Sequence, residues 1–447
     1  MMPVIQLDDL AVGHVTEADY YSPKGQLLIG QGETITPQHL SLLRKRNIFE
    51  IHTHTAALPP PPSVPAESSP PPELPDTLLN AAVDRWQVQP GKQGFEQLLS
   101  NRSASSLDHA LNLDRASDHP IGKSMQSQMR QEYMFHRPEP YKQNITHIYN
   151  ESLAQIKIIL NKLAAGTIID VGLLRGLVER FIVTFLNDRN ILLTIASQKV
   201  DRDDPLYNHT LNVCLLAMNI AAATDYSEEQ VIQVGIGALL HDLGMLLVPP
   251  AIRFKEGRLD EEEWYEIRKH PLFGLHIIDR SLRLPDAVKY ITYQLHEREN
   301  GKGYPKQRNS RLIHNFAKIT MVADIFEAVS SPRPYRQAFA PYKGMEMLIK
   351  MGKQHLISEQ FVMAMLKSVS LFPVGSIVEL NDGRTGQVIA ANKFHLARPL
   401  ISILAEQGGT LLGCRDTYPV DLSLDTSLQI IRSLPFGAIG SDILCGL

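Results

Sequence analysis

The chain has 447 residues, enough for about two to four domains, with 44% hydrophobic and 21% charged residues, the balance of an ordinary globular protein. A formal net charge of −4 excludes the strongly basic surface that nucleic acid or an anionic membrane would attract, so neither is expected as a partner. Cys214, Cys414 and Cys445 lie far apart, which excludes a disulfide framework or a zinc-thiolate cluster and suits a reducing cytoplasm.

Residues 1–10 lack the basic start and apolar core of a signal peptide. Residues 1–56 read as a small β-containing module, with Gly13-His14-Val15 and Gly25-Gln26-Leu27-Leu28-Ile29 as apolar stretches punctuated by glycine. Thr36-Pro37 has the form of a helix start, ahead of Leu40 and Leu43. Residues 57–140 read as linker: Pro59-Pro60-Pro61-Pro62 and Pro70-Pro71-Pro72 favour an extended chain, and the polar stretch after Trp86 leaves room for one or two short helices.

From Tyr141 the pattern turns helical. Ile156, Ile159, Leu160 and Leu163 keep the spacing of an amphipathic helix, and residues 173–200, 208–223 and 227–240 continue it. The last two are apolar on more than one face, which predicts burial in an all-α core, and residues 231–240 are too few to span a bilayer. A cytoplasmic location is therefore expected. After about Ser370 the period changes. Residues 374–380, 386–390 and 400–404 read as strands, with Asn381-Asp382-Gly383 as a hairpin turn, so residues 371–447 form a small β-rich module. The expected fold is mainly α: a helical bundle at residues 141–370 between small β-containing terminal modules.

Chemistry concentrates in the helical part. His209, His241-Asp242, His270, His296 and Asp324 combine imidazole and carboxylate, a donor set for iron, manganese, nickel, cobalt or zinc. A lone histidine on an apolar helix is usually a core residue, and a lone His-Asp pair usually a surface or capping feature. The setting argues otherwise here. His241-Asp242 follows a strongly apolar helix, and Asp324 sits within Ile319-Thr320-Met321-Val322-Ala323-Asp324-Ile325-Phe326, where an unpaired carboxylate would be costly. Facing helices of a bundle can donate such ligands to one centre.

His241-Asp242-Leu243-Gly244 resembles the motif that names the HD superfamily of metal phosphohydrolases. His296-Glu297-Arg298 with Asn300-Gly301-Lys302-Gly303-Tyr304-Pro305 resembles the HD-GYP signature, and Val322-Ala323-Asp324 through Ser331-Pro332-Arg333-Pro334-Tyr335-Arg336 resembles the segment that follows it. This resemblance covers residues 141–370. It implies an HD-type bundle and a phosphodiesterase that opens cyclic di-GMP to pGpG or GMP in bacterial second-messenger signalling. It further implies two divalent transition-metal ions, iron or manganese first, held by His209, His241, Asp242, His270, His296 and Asp324, with His241 and Asp242 at the catalytic centre and Asp242 bridging. Asp203, Gly303, Tyr304, Pro305, Arg333 and Arg336 would line the substrate, and the loop around Gly303-Tyr304-Pro305 is where the resemblance would put a protein partner.

The chain departs from the signature at four places. Met245 stands where a lysine is usual, Leu295 where a second histidine is usual, Pro205 where some members carry a glutamate for a third ion, and Asn300 where an aspartate is usual. The implied site is therefore binuclear. Two further readings remain beside the enzyme: a catalytically weak domain that senses cyclic di-GMP or docks a protein, and a general HD phosphohydrolase of nucleotides, which Gly303-Tyr304-Pro305 disfavours.

Overall fold

The computed structural model describes residues 4–6, 10, 14, 16, 20–21, 27–29, 35, 40, 50–53, 102–113, 118–129, 139–198, 204–255, 257–331, 341–392, 394–413 and 416–434. The chain divides into two compact units, Met1–Glu73 and Leu74–Leu447.

The first unit carries a four-stranded antiparallel sheet. Its strands are β1 (Val4–Gln6), β2 (Tyr20–Tyr21), β3 (Leu27–Ile29) and β4 (Glu50–Thr53), in the order β1-β4-β2-β3. Ile5 lies opposite Ile51, and Tyr20 lies between Ile29 and Thr53. The strand expected around Leu27 to Ile29 is thus present, and Leu40 is helical; Thr36-Pro37 and Leu43 fall outside the described residues.

The second unit is mainly helical. Within the stretch read as largely linker lies α1 (Arg102–Asn112), followed across the described residues by α2 (Glu139–Ala164), α3 (Val171–Gln198), α4 (Pro205–Ala222) and α5 (Glu228–Leu240). Asp204 caps α4 by accepting the Leu206 amide at 3.1 Å, and Pro205 occupies the first turn, where its missing N–H costs nothing. Every residue of α4 from Leu206 to Ala222 is buried, as its all-round apolarity predicts. Glu228–Leu247 is the one segment among the described residues long and apolar enough to cross a membrane, but 72% of it is buried within the protein, where α5 packs between α3, α4 and α9 (Asp286–Gln294). Gly237 makes the last contact possible, because a Cβ there would sit 2.2 Å from Ile291.

Between α5 and α9 come α6 (Pro250–Arg253), α7 (Glu261–Ile267) and α8 (His270–Ser281); α10 (Asn315–Ser330), α11 (Pro341–Lys353) and α12 (Glu359–Val369) complete the helical set. The chain then forms a five-stranded antiparallel sheet: β5 (Ile377–Leu380), β6 (Thr385–Ala390), β7 (Leu400–Ala405), β8 (Tyr418–Asp421) and β9 (Ile430–Leu434), ordered β8-β7-β6-β5-β9. Gly383 takes the positive φ that the expected Asn-Asp-Gly turn requires. The sheet buries Val378, Leu380, Val388, Ile401 and Ile403, and Phe372 of this cluster stacks on Tyr342 of α11. β8 escaped the sequence reading because it is short and holds Pro419, which an edge strand tolerates.

Candidate metal centre

Five elements converge on one point in the helical core. His209 lies on the second turn of α4; His241 caps the C-terminus of α5, with Asp242 next to it; His270 opens α8; His296 follows α9; Asp324 lies on α10. Close approach is enforced by glycine. A Cβ on Gly244 would stand 1.9 Å from the carbonyl oxygen of His270, and the Gly244 backbone lies against Gly274. The turn carrying Asp242 can therefore reach the first turn of α8 only without side chains between them.

The histidine tautomers follow from their partners. Nδ1–H of His241 donates to the Ala238 carbonyl oxygen at 2.7 Å, and Nδ1–H of His270 donates to that of Ile267 at 2.7 Å. Nδ1–H of His209 donates to the carboxylate of Glu327. In all three rings Nε2 is left to face the site.

Asp242 stands between two groups of these nitrogens. Its Oδ2 lies 3.4 Å from Nε2 of His241 and 3.8 Å from Nε2 of His209; its Oδ1 lies 3.3 Å from Nε2 of His270 and 3.9 Å from Nε2 of His296. The donor atoms of His209, His241 and Asp242 all lie within 4.8 Å of one another, as do those of Asp242, His270 and His296. Asp324 joins the first group through Oδ1, 3.1 Å from Nε2 of His209.

An orphaned nitrogen shows that the site suits positive charge. Nε2 of His241 is fully buried and has no hydrogen-bond partner: it and the Asp242 oxygen are both lone-pair donors in this tautomer, so their approach at 3.4 Å is not a hydrogen bond. Nε2 of His270 and Nε2 of His296 stand 2.9 Å apart, sharing one proton as a hydrogen bond that an ion between them would replace. A cation between lone-pair donors removes their conflict, so the residues present fit divalent metal ions. The electrostatics agree. Burial pushes the Asp242 carboxyl up, but the imidazoles of His241, His270 and His296 around it outweigh burial and hold the group well below the usual carboxylate range. Burial opposes the charged form of His241, and the neighbouring Asp242 more than offsets it. Burial pushes His296 down to about 4, which keeps it neutral near pH 7.

The loop after His296 walls one side. The Tyr304 ring stacks on His296 with centroids 4.8 Å apart and planes 8° off parallel, and the Tyr304 amide donates to the His296 carbonyl oxygen at 3.0 Å. Gly303 allows this, because a Cβ would come 2.4 Å from the Glu297 and Arg298 backbone. Buried Glu297 pins the loop's far end by accepting the amides of Lys306 at 2.7 Å and Arg308 at 2.8 Å, and its burial pushes its carboxyl up to about 7.

Of the residues singled out from the sequence, His209, His241, Asp242, His270, His296 and Asp324 are thus brought together, with Gly303, Tyr304 and Pro305 beside them. Asp203, Arg333 and Arg336 lie outside the described residues. Met245 is half-buried in the turn after Asp242, and Leu295 is fully buried. Sequence reasoning missed Glu327. Its carboxylate also accepts from Ser331 at 2.7 Å and from Asn212 at 3.4 Å, and Asn212 in turn accepts from Tyr149 at 2.8 Å. The available signal was a second carboxylate three residues after Asp324, on the same face of an apolar helix.

Residues 192–358 match the family model of the HD domain, and residues 377–441 that of the KOW domain associated with HD domain. The chain therefore carries an HD domain, built as a mainly α bundle with small β-containing modules on either side of it in sequence. A cyclic di-GMP phosphodiesterase of Pseudomonas aeruginosa is 28% identical over 238 residues, covering 53% of this chain and 57% of the relative. A 3'3'-cGAMP-specific phosphodiesterase of Vibrio cholerae is 30% identical, covering 37% of this chain and 32% of the relative. The cyclic di-GMP phosphodiesterase response regulator RpfG of Xanthomonas campestris is 35% identical, covering 27% and 32%. The chain thus spans between about a third and three fifths of these curated relatives.

Proposed function

We propose that this chain is a metal-dependent phosphodiesterase that opens cyclic di-GMP to pGpG or GMP. The observation that carries the reading is Asp242, whose two oxygens face two separate sets of imidazole nitrogens. His209, His241 and Asp324 would hold one ion and His270 and His296 the other, with Asp242 shared. Iron or manganese suits this mixed donor set first, with nickel, cobalt and zinc also compatible. Ions so held supply hydroxide at neutral pH and stabilise charge on phosphoryl oxygens. The chain's own residues orient and enclose: Tyr304 on His296 shapes the substrate side, and the loop backbone at Gly303 gives a bulky dinucleotide close approach. Asp203, Arg333 and Arg336 are proposed as substrate contacts, arginine being suited to phosphate and guanine alike. The names of the relatives above support a cyclic dinucleotide as the substrate class.

A second reading has its own observations. Met245 brings no cation near the phosphate, and buried Leu295 brings no nitrogen. Both favour a weak catalyst that senses cyclic di-GMP or docks a protein through the Gly303-Tyr304-Pro305 loop. Elemental analysis of protein purified anaerobically with iron or manganese, combined with a turnover assay, separates the two. The expected result is about two ions per chain and a linear product, both lost in the His241→Ala/Asp242→Ala double variant. No metal would sink the binuclear site; metal and tight binding without product would leave the sensor. Running 3'3'-cGAMP in parallel tests the choice of base.

A further inference from the structure

The helix α1 stands nearly two hundred residues upstream of the substrate loop, yet it lies against it. Ala104 and Leu107 are buried among Leu272, Leu275, Tyr290 and Tyr293 of α8 and α9. The Tyr290 hydroxyl donates to the Leu107 carbonyl oxygen at 2.8 Å. The next residue, Asp108, is only 8% exposed, and buried carboxylates need partners. It has three. Tyr293 donates to it at 3.1 Å, Arg308 pairs with it at 2.6 Å, and the Lys306 ammonium lies 3.8 Å away.

Lys306 and Arg308 are the two residues whose amides Glu297 accepts. Their side chains are therefore tied to α1 and their backbones to the residue after His296. From Lys306 the chain runs back through Pro305 to Tyr304, whose ring lies on His296. We propose that Asp108 is a positioning residue for the substrate loop: by fixing Lys306 and Arg308 it sets the conformation in which Tyr304 and Gly303 face the metal centre. A segment preceding the HD domain in sequence thereby becomes part of its binding geometry, and displacing α1 would loosen the loop without touching a metal-facing residue. The reaction assumed is the phosphodiesterase proposed above, but the structural linkage does not depend on it.

The experiment uses the full chain with Asp108→Ala, the isosteric Asp108→Asn, Arg308→Gln from the loop side, and Ser105→Ala on the exposed face of α1 as control. Asp108→Asn keeps an acceptor for Tyr293 and removes only the charge, so it carries the test if Asp108→Ala fails to fold. Hydrogen exchange at the amides of Lys306 and Arg308 should quicken about ten-fold in the Asp108 and Arg308 variants, and KM for cyclic di-GMP should rise by about the same factor. Metal content and kcat should hold, and Ser105→Ala should match wild type. Unchanged exchange in Asp108→Asn and Arg308→Gln would overturn the proposal, as would faster exchange with KM unmoved. If wild type turns over no cyclic dinucleotide, the phosphodiesterase reading fails by itself, and loop exchange together with cyclic di-GMP affinity still decides for or against Asp108.

Discussion

At the scale of single residues, the metal centre depends on which nitrogen of each ring is free, and that is decided outside the centre. Ala238 and Ile267 set His241 and His270 with backbone carbonyls, which substitution cannot remove, whereas His209 relies on the side chain of Glu327. Partners of this kind typically change metal affinity by about 10–100-fold when altered. Glu327→Gln keeps the shape and an acceptor but loses the charge, so it should weaken metal binding within that range while leaving the fold intact. Titration against a competing chelator measures it, and an affinity equal to wild type would remove Glu327 from the account. Of the residues proposed to hold metal, His241-Asp242 and Asp324 were readable from sequence because they interrupt apolar runs, where a charge needs a reason, while the roles of His209, His270 and His296 came with the resemblance. Glu327 interrupts the same run three residues later, but nothing in the sequence showed that its partner was His209, more than a hundred positions away.

At the scale of elements, the periodicity of α4 and α5 gave their position and burial directly, and Asn381-Asp382-Gly383 marked its hairpin. α1 was different. Arg-Ser-Ala-Ser-Ser-Leu-Asp-His-Ala-Leu-Asn has little apolar surface and a serine-rich start, which reads as linker until Tyr290 and Tyr293 are seen to complete it. Residues 118–129 are tied in as well: Met125 is fully buried, and the Tyr226 hydroxyl donates to the Asp118 carbonyl oxygen at 2.6 Å. A chain starting at Tyr141 should therefore be less stable than one starting at residue 97. Losing the burial of Leu107 and Met125 alone amounts to about 3–5 kcal/mol. Denaturant unfolding of both truncations reads the difference, and equal midpoints would mean that these segments only lie on the surface.

At the scale of the whole molecule, the candidate metal centre is a meeting point of helices distant in sequence, so an ion held there would act as a cross-link within the bundle. Because an unfolded chain offers no such assembled site, ligand excess translates into stability. Manganese at a hundred-fold excess over its dissociation constant should add about 3 kcal/mol to the metal-free protein. Thermal unfolding should move upward with added manganese in wild type and stay put in the His241→Ala/Asp242→Ala double variant. An equal upward shift in both would place the stabilising ion elsewhere.

The pairing of Asp108 with Tyr293 spans 185 residues of chain. During synthesis α1 leaves the ribosome first and must wait about 10 to 40 seconds, at ordinary translation speeds, before the helices it packs against exist. Ala104 and Leu107 spend that interval without their native cover, and the substrate loop is made after most of the ligand-bearing chain. The contacts that hold the loop in place thus join a helix made early to a segment made nearly two hundred residues later, and competence for substrate waits on that closure as well as on α10, which follows the loop.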